Sequence, residues 1–198
     1  MKWKDDLIKD IKTNDEIFND RDYPLKDTYS GDEFSKCNQA SLLEFFLKIK
    51  NNCKSILEIG VCRNKSKSST YVFLDNKLEE TYYFGIDLKD KSFLHKYGKN
   101  IFTIQSNSSN IEQNMDYINK QGIDKFDFIF IDGWHSINQI LIDWEYTKYL
   151  NNNGIVALHD INHHPGPKSF IESINQDKWY VDLRCSKDWG IGFLNKKD

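Results

Sequence analysis

The spacing of apolar positions changes once along this chain, close to residue 50. Over residues 35–50, Leu42, Leu43, Phe45, Phe46 and Ile49 recur at the three-and-four spacing of a helix face, and Asn51-Asn52 ends the run. Residues 1–32 are polar and charged, with Leu7, Ile8, Ile11, Ile17 and Phe18 spaced as in a weakly amphipathic helix. From residue 55 onward the pattern becomes one of short apolar runs between polar turns, at 55–60, 81–87, 100–105, 126–132, 154–160, 179–183 and 190–194. Each run has the length of a strand, and the intervals 108–121 and 136–150 are long enough for helices. Strands alternating with helices predict βαβ units and a mostly parallel sheet covered on both faces. The last two runs are separated only by residues 184–189, which predicts an antiparallel hairpin at the sheet edge.

Four of these strands close on a polar or acidic residue after an apolar stretch: Glu58 followed by Gly60, then Asp87, Asp132 and Asp160. Open α/β sheets bind ligands beyond the carboxyl ends of their strands, where strand order reverses. This repeated placement is the main functional signal in the sequence.

Composition narrows the setting. A chain of 198 residues with no Pro/Gly/Ser-rich linker and no repeat reads as one domain, with 1–54 as a helical cap or lid and 55–198 as the sheet. The net charge of −3 argues against broad coating of nucleic acid, which requires a basic surface. No apolar run approaches the roughly 20 residues needed to span a bilayer. The start, Met1-Lys2-Trp3-Lys4-Asp5-Asp6, mixes charges where a signal peptide would turn apolar, so a cytoplasmic protein without membrane contact is expected. Cys37, Cys53, Cys62 and Cys185 form no C-x-x-C pair, which predicts reduced thiols.

Leu57-Glu58-Ile59-Gly60-Val61-Cys62-Arg63-Asn64-Lys65-Ser66 resembles the first motif of the class I S-adenosylmethionine-dependent methyltransferases, in the E-I-G-x-x-x-G-x-S form of small-molecule O-methyltransferases. The groups in question are the cephalosporin-hydroxylase-like and macrolide sugar methyltransferases. Asn64 stands where the last glycine is expected, and Asn tolerates the left-handed backbone such a turn uses. The block 126–136, with Asp132-Gly133-Trp134-His135, followed by Asp143, Leu150, Gly154 and His159-Asp160, resembles the F-I-D-G-x-H…D…L-x-x-G-G…H-D signature of the same group. Pro165-Gly166-Pro167 and Trp189-Gly190-Ile191-Gly192 extend the likeness to the C-terminal half. The resemblance implies a Rossmann-like, doubly wound α/β fold with a mostly parallel seven-stranded sheet, a C-terminal antiparallel edge hairpin and an N-terminal helical cap.

It also implies a set of roles. Glu58, Gly60, Asn64, Ser66, Asp87, Asn107 and Asp132 would hold S-adenosylmethionine, with Asp87 on the ribose hydroxyls and Asn107 beside the adenine. Equally, residues 106–109 read as a plain helix N-cap. Asp132, His135 and His159 would serve catalysis at a small-molecule acceptor, most plausibly at a hydroxyl. Several relatives hold Mg²⁺ or a similar ion with acids at the ends of strands four and five; the matching positions are Asp132 and Asp160, with Asn162 or His163 as third ligand. Acceptor choice or homo-oligomer contacts fall to the first fifty residues. Two rivals stay open: a nicotinamide-dependent oxidoreductase, which would want three glycines where this motif has Gly60 alone, and a non-catalytic binding protein on the same sheet.

Overall fold

The computed structural model describes residues 36–62 and 68–197. Asn64, Ser66 and the expected helix within 1–32 lie outside the described residues. Seven strands form one sheet in the order β3-β2-β1-β4-β5-β7-β6: β1 is Ser55–Ile59, β2 Tyr82–Asp87, β3 Ile101–Gln105, β4 Phe126–Ile131, β5 Leu150–His159, β6 Trp179–Arg184 and β7 Ile191–Lys196. The first five pair in parallel, and β7 enters antiparallel between β5 and β6. The expected α/β architecture and its edge hairpin are both present. Strand order reverses between β1 and β4, so the two neighbouring crossovers leave toward opposite faces and part above that seam.

Because side chains alternate along a strand, each strand feeds two layers. Leu57, Ile59, Phe84, Ile129, Ile131, Val156 and Leu158 point to one face. There they pack under α3 (Ile111–Asn119), α4 (Ile137–Trp144) and α5 (Pro165–Ser173), which contribute Ile118, Leu141, Trp144 and Phe170. The intervening positions Ile56, Tyr83, Phe128, Phe130 and Ala157 point to the other face, under α1 (Lys36–Ile49) and α2 (Ser69–Leu74). Leu42 and Phe46 of α1 are fully buried there, each side chain contributing about 1.5–3 kcal/mol by leaving water. The described part of the expected cap is therefore a covering layer of the sheet. Phe45 stacks on Phe193 of β7 with centroids 4.0 Å apart, and the Arg184 guanidinium lies over both rings.

The expectation of four reduced thiols is corrected for one pair. Cys37, at the start of α1, and Cys185, at the β6–β7 turn, form a disulfide across 148 residues of sequence. Spacing could not reveal it, because the sheet brings the two together only when α1 lies across β7. Cys53 and Cys62 are buried and lie outside this disulfide.

Element boundaries moved where packing overrode pattern. The helix expected over 136–150 stops at Trp144 and tightens into a 3₁₀ turn, Glu145–Tyr149, while β5 begins at Leu150, before Gly154. Ser136 caps α4 by accepting a hydrogen bond from the Gln139 N–H.

Gly60 holds the seam between β1 and β4. Its φ is +84°, and a Cβ there would lie 2.1 Å from the Asp132 carbonyl oxygen. The sequence suggested that this glycine admits a cofactor; its first constraint is the neighbouring strand end. Gly60→Ala is therefore expected to lose on the order of 2–4 kcal/mol, from a positive φ and a backbone clash together, read as a lowered urea midpoint at unchanged slope.

Candidate functional site

A cleft of about 540 Å³ opens above the β1/β4 seam. Its walls come from the turns after β1, β2, β3, β4 and β5, and include Gly60, Asp87, Asn107, Asp132, His135 and Asp160. Sequence positions far apart thus converge on one cavity. Trp134 also lines it and is 47% exposed, as an acceptor wall would be.

One end of the cleft is organised around Asp87. The Val61 N–H donates to its Oδ2 at 3.0 Å and the Lys89 N–H to its Oδ1 at 2.8 Å. The Lys91 ammonium lies 3.5 Å from Oδ2 and donates to the Cys62 carbonyl at 2.9 Å, so one buried cation ties the β1 turn to the β2 turn. Asn107 lines the same end, but its side-chain oxygen accepts from the Ser109 N–H at 2.9 Å, closing a local turn. Behind it, buried Asp143 accepts from Gln139 at 2.8 Å, and Gln139 also donates to Ser108. Burial raises the Asp143 carboxyl to about pKa 7 despite hydrogen bonds from Ser108 and Gln139.

Glu58 takes a different place from the expected one. Alternation puts it on the α2 face, where Ser69 and Thr70 donate to its two oxygens and the Tyr83 hydroxyl donates as well. It is fully buried and absent from the cleft lining. Its carboxyl fastens the start of α2 to the end of β1, and burial pushes its pKa to about 7 against those three hydroxyls. Glu58 shapes the turn after β1 from behind.

The other end is built from two acids and three histidines. Asp132 follows β4 and His159 ends β5, on the face covered by α1. Asp160 should point the opposite way by alternation, but its φ of +62° turns the chain back, a conformation Asp tolerates. Its carboxylate consequently returns to the same group. His159 Nδ1 lies 2.9 Å from Asp132 Oδ1 and 3.1 Å from Asp160 Oδ1. His135 Nε2 lies 2.8 Å from Asp160 Oδ2, and the His135 ring stacks on His164 at 3.9 Å between centroids. The carbonyl of His135 is fixed by α5, where a Cβ on Gly166 would come within 2.1 Å of it. Burial alone would strip the proton from His159, but the charges of Asp160 and Asp132 outweigh it and raise the ring to about pKa 10. Burial opposes ionisation of Asp160 too; His159 and His135 overcome it and hold that carboxyl well below the usual range.

Asn162, expected as third metal ligand, is turned away. Its amide donates to the Cys185 and Asp188 carbonyls at 2.9 and 2.7 Å, pinning the β6–β7 turn. The groups close enough to share an ion are Asp132, His159 and Asp160, or His135, Asp160 and His164. Among the described residues the first set offers one imidazole between two carboxylates and the second two imidazoles and one carboxylate, whereas Mg²⁺ favours oxygen donors in a near-ideal octahedron. The side chains present do not fit Mg²⁺. One contributor escaped the sequence reading: Asn38 of α1, whose side-chain amide lies 3.0 Å from His159 Nε2. A polar residue on the inward edge of an apolar helix face was the available signal.

These protonation states give stability a direction with pH. Glu58, Asp143 and His159 hold their protons more tightly folded than their ordinary values of 4.5, 3.8 and 6.5. Their stabilising contribution is complete below those values and is lost as pH rises through about 7, 7 and 10 respectively. Asp160 acts oppositely and loses its contribution only in strong acid. Stability is therefore expected to fall between about pH 5 and pH 8, by on the order of 2–3 kcal/mol for each buried carboxyl, with a matching drop in melting temperature. Glu58→Gln combined with Asp143→Asn should flatten that slope in scanning calorimetry.

The sequence matches no protein family and no curated protein. Among solved structures, the chain is similar to the MycE methyltransferase of mycinamycin biosynthesis, bound to Mg, S-adenosylhomocysteine and mycinamycin VI, with TM-score 0.57 and 19% identity over 79% of this chain and 48% of MycE. The chain spans about half the length of MycE. It is similar also to CalS11, the TDP-rhamnose 3′-O-methyltransferase of calicheamicin biosynthesis, with TM-score 0.61 and 13% identity over 81% of this chain and 80% of that one. An rRNA methylase from Streptococcus thermophilus matches with TM-score 0.57 and 12% identity over 79% of this chain and 94% of its own. Sheet order, reversed seam and these likenesses agree: the chain has the fold of the class I methyltransferases.

Proposed function

We propose that this protein is an S-adenosylmethionine-dependent methyltransferase that methylates a hydroxyl of a small molecule. The observation that carries the reading is the two-ended cleft above the β1/β4 seam. One end has an anchored carboxylate, Asp87, suited to a vicinal diol, and the other has the His135–Asp160 pair at 2.8 Å. A carboxylate accepts two hydrogen bonds at once, so Asp87 can grip both ribose hydroxyls while the Val61 N–H fixes its orientation. The cofactor supplies a methyl group on a sulfonium, poised for in-line displacement.

The residues then have two tasks. Positioning donor and acceptor in line is worth up to about 7–11 kcal/mol, and the rigid strand ends provide it. Removing the hydroxyl proton falls to His135. Asp160 Oδ2, 2.8 Å from Nε2, favours the tautomer with the proton on Nε2 and leaves Nδ1 to take up the acceptor's proton. With the methyl donor bound, His135 would take up the acceptor's hydroxyl proton while the sulfonium would give up its methyl group to the hydroxyl oxygen. Trp134 supplies an apolar face for the acceptor.

The likeness to an rRNA methylase raises nucleic acid as an acceptor, and the net charge of −3 favours a small molecule instead. Gly60 as the lone glycine of its motif disfavours the nicotinamide alternative. No helix among the described residues is long and apolar enough to cross a membrane.

S-adenosylhomocysteine is expected to raise the melting temperature, and Asp87→Ala to weaken its binding about 10–100-fold in calorimetry through loss of charged hydrogen bonds. Absence of any binding would sink the proposal. With labelled methyl donor and a panel of hydroxyl acceptors, His135→Ala should retain cofactor binding and lose about 10²–10⁴-fold in turnover. Binding without turnover on any acceptor would favour the non-catalytic alternative.

A further inference from the structure

Asp132 and Asp160 leave adjacent strands and face each other across a single imidazole. Nδ1 of His159 donates to Asp132 Oδ1 at 2.9 Å and lies 3.1 Å from Asp160 Oδ1, so one imidazole faces both carboxylates. The ring is 1% exposed. A hard ion held by both carboxylates would need this same space, with oxygens at about 2.0–2.1 Å and several retained waters. The imidazole already occupies the contact between the two carboxylates, and the further oxygen-bearing side chain expected nearby, Asn162, has its amide bonded to the β6–β7 turn.

The ring is also fixed from behind. Nε2 lies 3.0 Å from the Asn38 amide, across 121 residues of sequence, and the Phe130 ring flanks it at 6.3 Å between centroids. Swinging His159 out to admit an ion would cost its contact with α1 as well as both carboxylate contacts.

We propose that His159, clamped by Asn38 of α1, takes the structural place of a divalent ion between Asp132 and Asp160, so that the acceptor end of the cleft is assembled without Mg²⁺ or Mn²⁺. The inference rests on the methyltransferase reading for the chemistry the site performs, while the bridge itself is a matter of geometry. It makes Asn38 a positioning residue. It also makes α1 a structural part of the acceptor end, through one side chain.

The test uses the full chain stripped with EDTA. Mn²⁺ is titrated in while free ion is followed by electron paramagnetic resonance, and the His159 ring signals are followed in ¹⁵N-histidine NMR spectra. The expected result is no stoichiometric uptake, no broadening of the His159 signals, and an affinity for S-adenosylhomocysteine that Mg²⁺ leaves unchanged. Stoichiometric uptake with loss of the His159 signals overturns the proposal, as does an affinity that rises with Mg²⁺. His159→Glu replaces the bridge with a third acid and should bind Mn²⁺ at least about tenfold more tightly than the parent chain. A folded His159→Glu chain with unchanged Mn²⁺ affinity also counts against it; should that variant not fold, the measurements on the parent chain decide. Failure of S-adenosylhomocysteine to bind would remove the methyltransferase reading and leave the Mn²⁺ and NMR readouts intact.

Discussion

Asp132 and Asp160 end neighbouring parallel strands, and two carboxylates brought together at a buried strand edge repel each other unless a positive group stands between them. His159 meets that constraint from within the chain. Much of the acceptor end follows. Asp160 must turn back through a left-handed conformation to reach the ring, His135 is oriented by the second oxygen of the same Asp160, and Asn38 must come across from α1 to hold the far nitrogen. A similar logic operates on the cofactor side at lower charge, where one ammonium, that of Lys91, spans Asp87 and the Cys62 carbonyl.

The two ends meet at the β1/β4 seam, where sterics rather than charge governs. Gly60 and Asp132 touch through backbone atoms, so no side chain can separate the strand that presents the cofactor turn from the strand that presents the acid. The cleft is thereby held open by rigid elements, and the loops that furnish its walls need to be ordered only at their bases. Glu58 supports this from beneath by tying α2 to β1 through the Ser69 and Thr70 hydroxyls and β2 through that of Tyr83.

Sheet and cleft were legible because both are periodic. Apolar runs ending in Glu58, Asp87, Asp132 and Asp160 carried strand count and the location of the site, since a parallel sheet places all its carboxyl ends on one side. Period-two alternation also carried, unread, the fact that Glu58 shares a face with Ile56 and falls under α2, away from the cleft. Long-range facts were not legible. Nothing local distinguishes Asn162, bonded to the β6–β7 turn, from a metal ligand two residues past an acid. Cys37 and Cys185 carry no spacing signal, because a pairing across 148 residues is decided by where α1 crosses the finished sheet. The boundary shift at Trp144 has a packing cause, as that indole fills the space between α5 and β6 by contact with Phe170 and Trp179.

The strand order gives the disulfide a consequence in time. β7 is the last strand in the chain, yet it lies inside the sheet, between β5 and β6, and α1 rests on it through Phe45 and Phe193. During synthesis the segment bearing Cys37 and Asn38 precedes every described strand of the sheet, and its seat on β7 exists only once that strand has been made. Strands β1 to β5 can pair as they emerge, while β6 joins the sheet only through β7. A chain cut short before β7 would keep the turns around Asp87 and lack the Phe193 ring on which Phe45 of α1 stacks, along with the strand that joins β6 to the sheet.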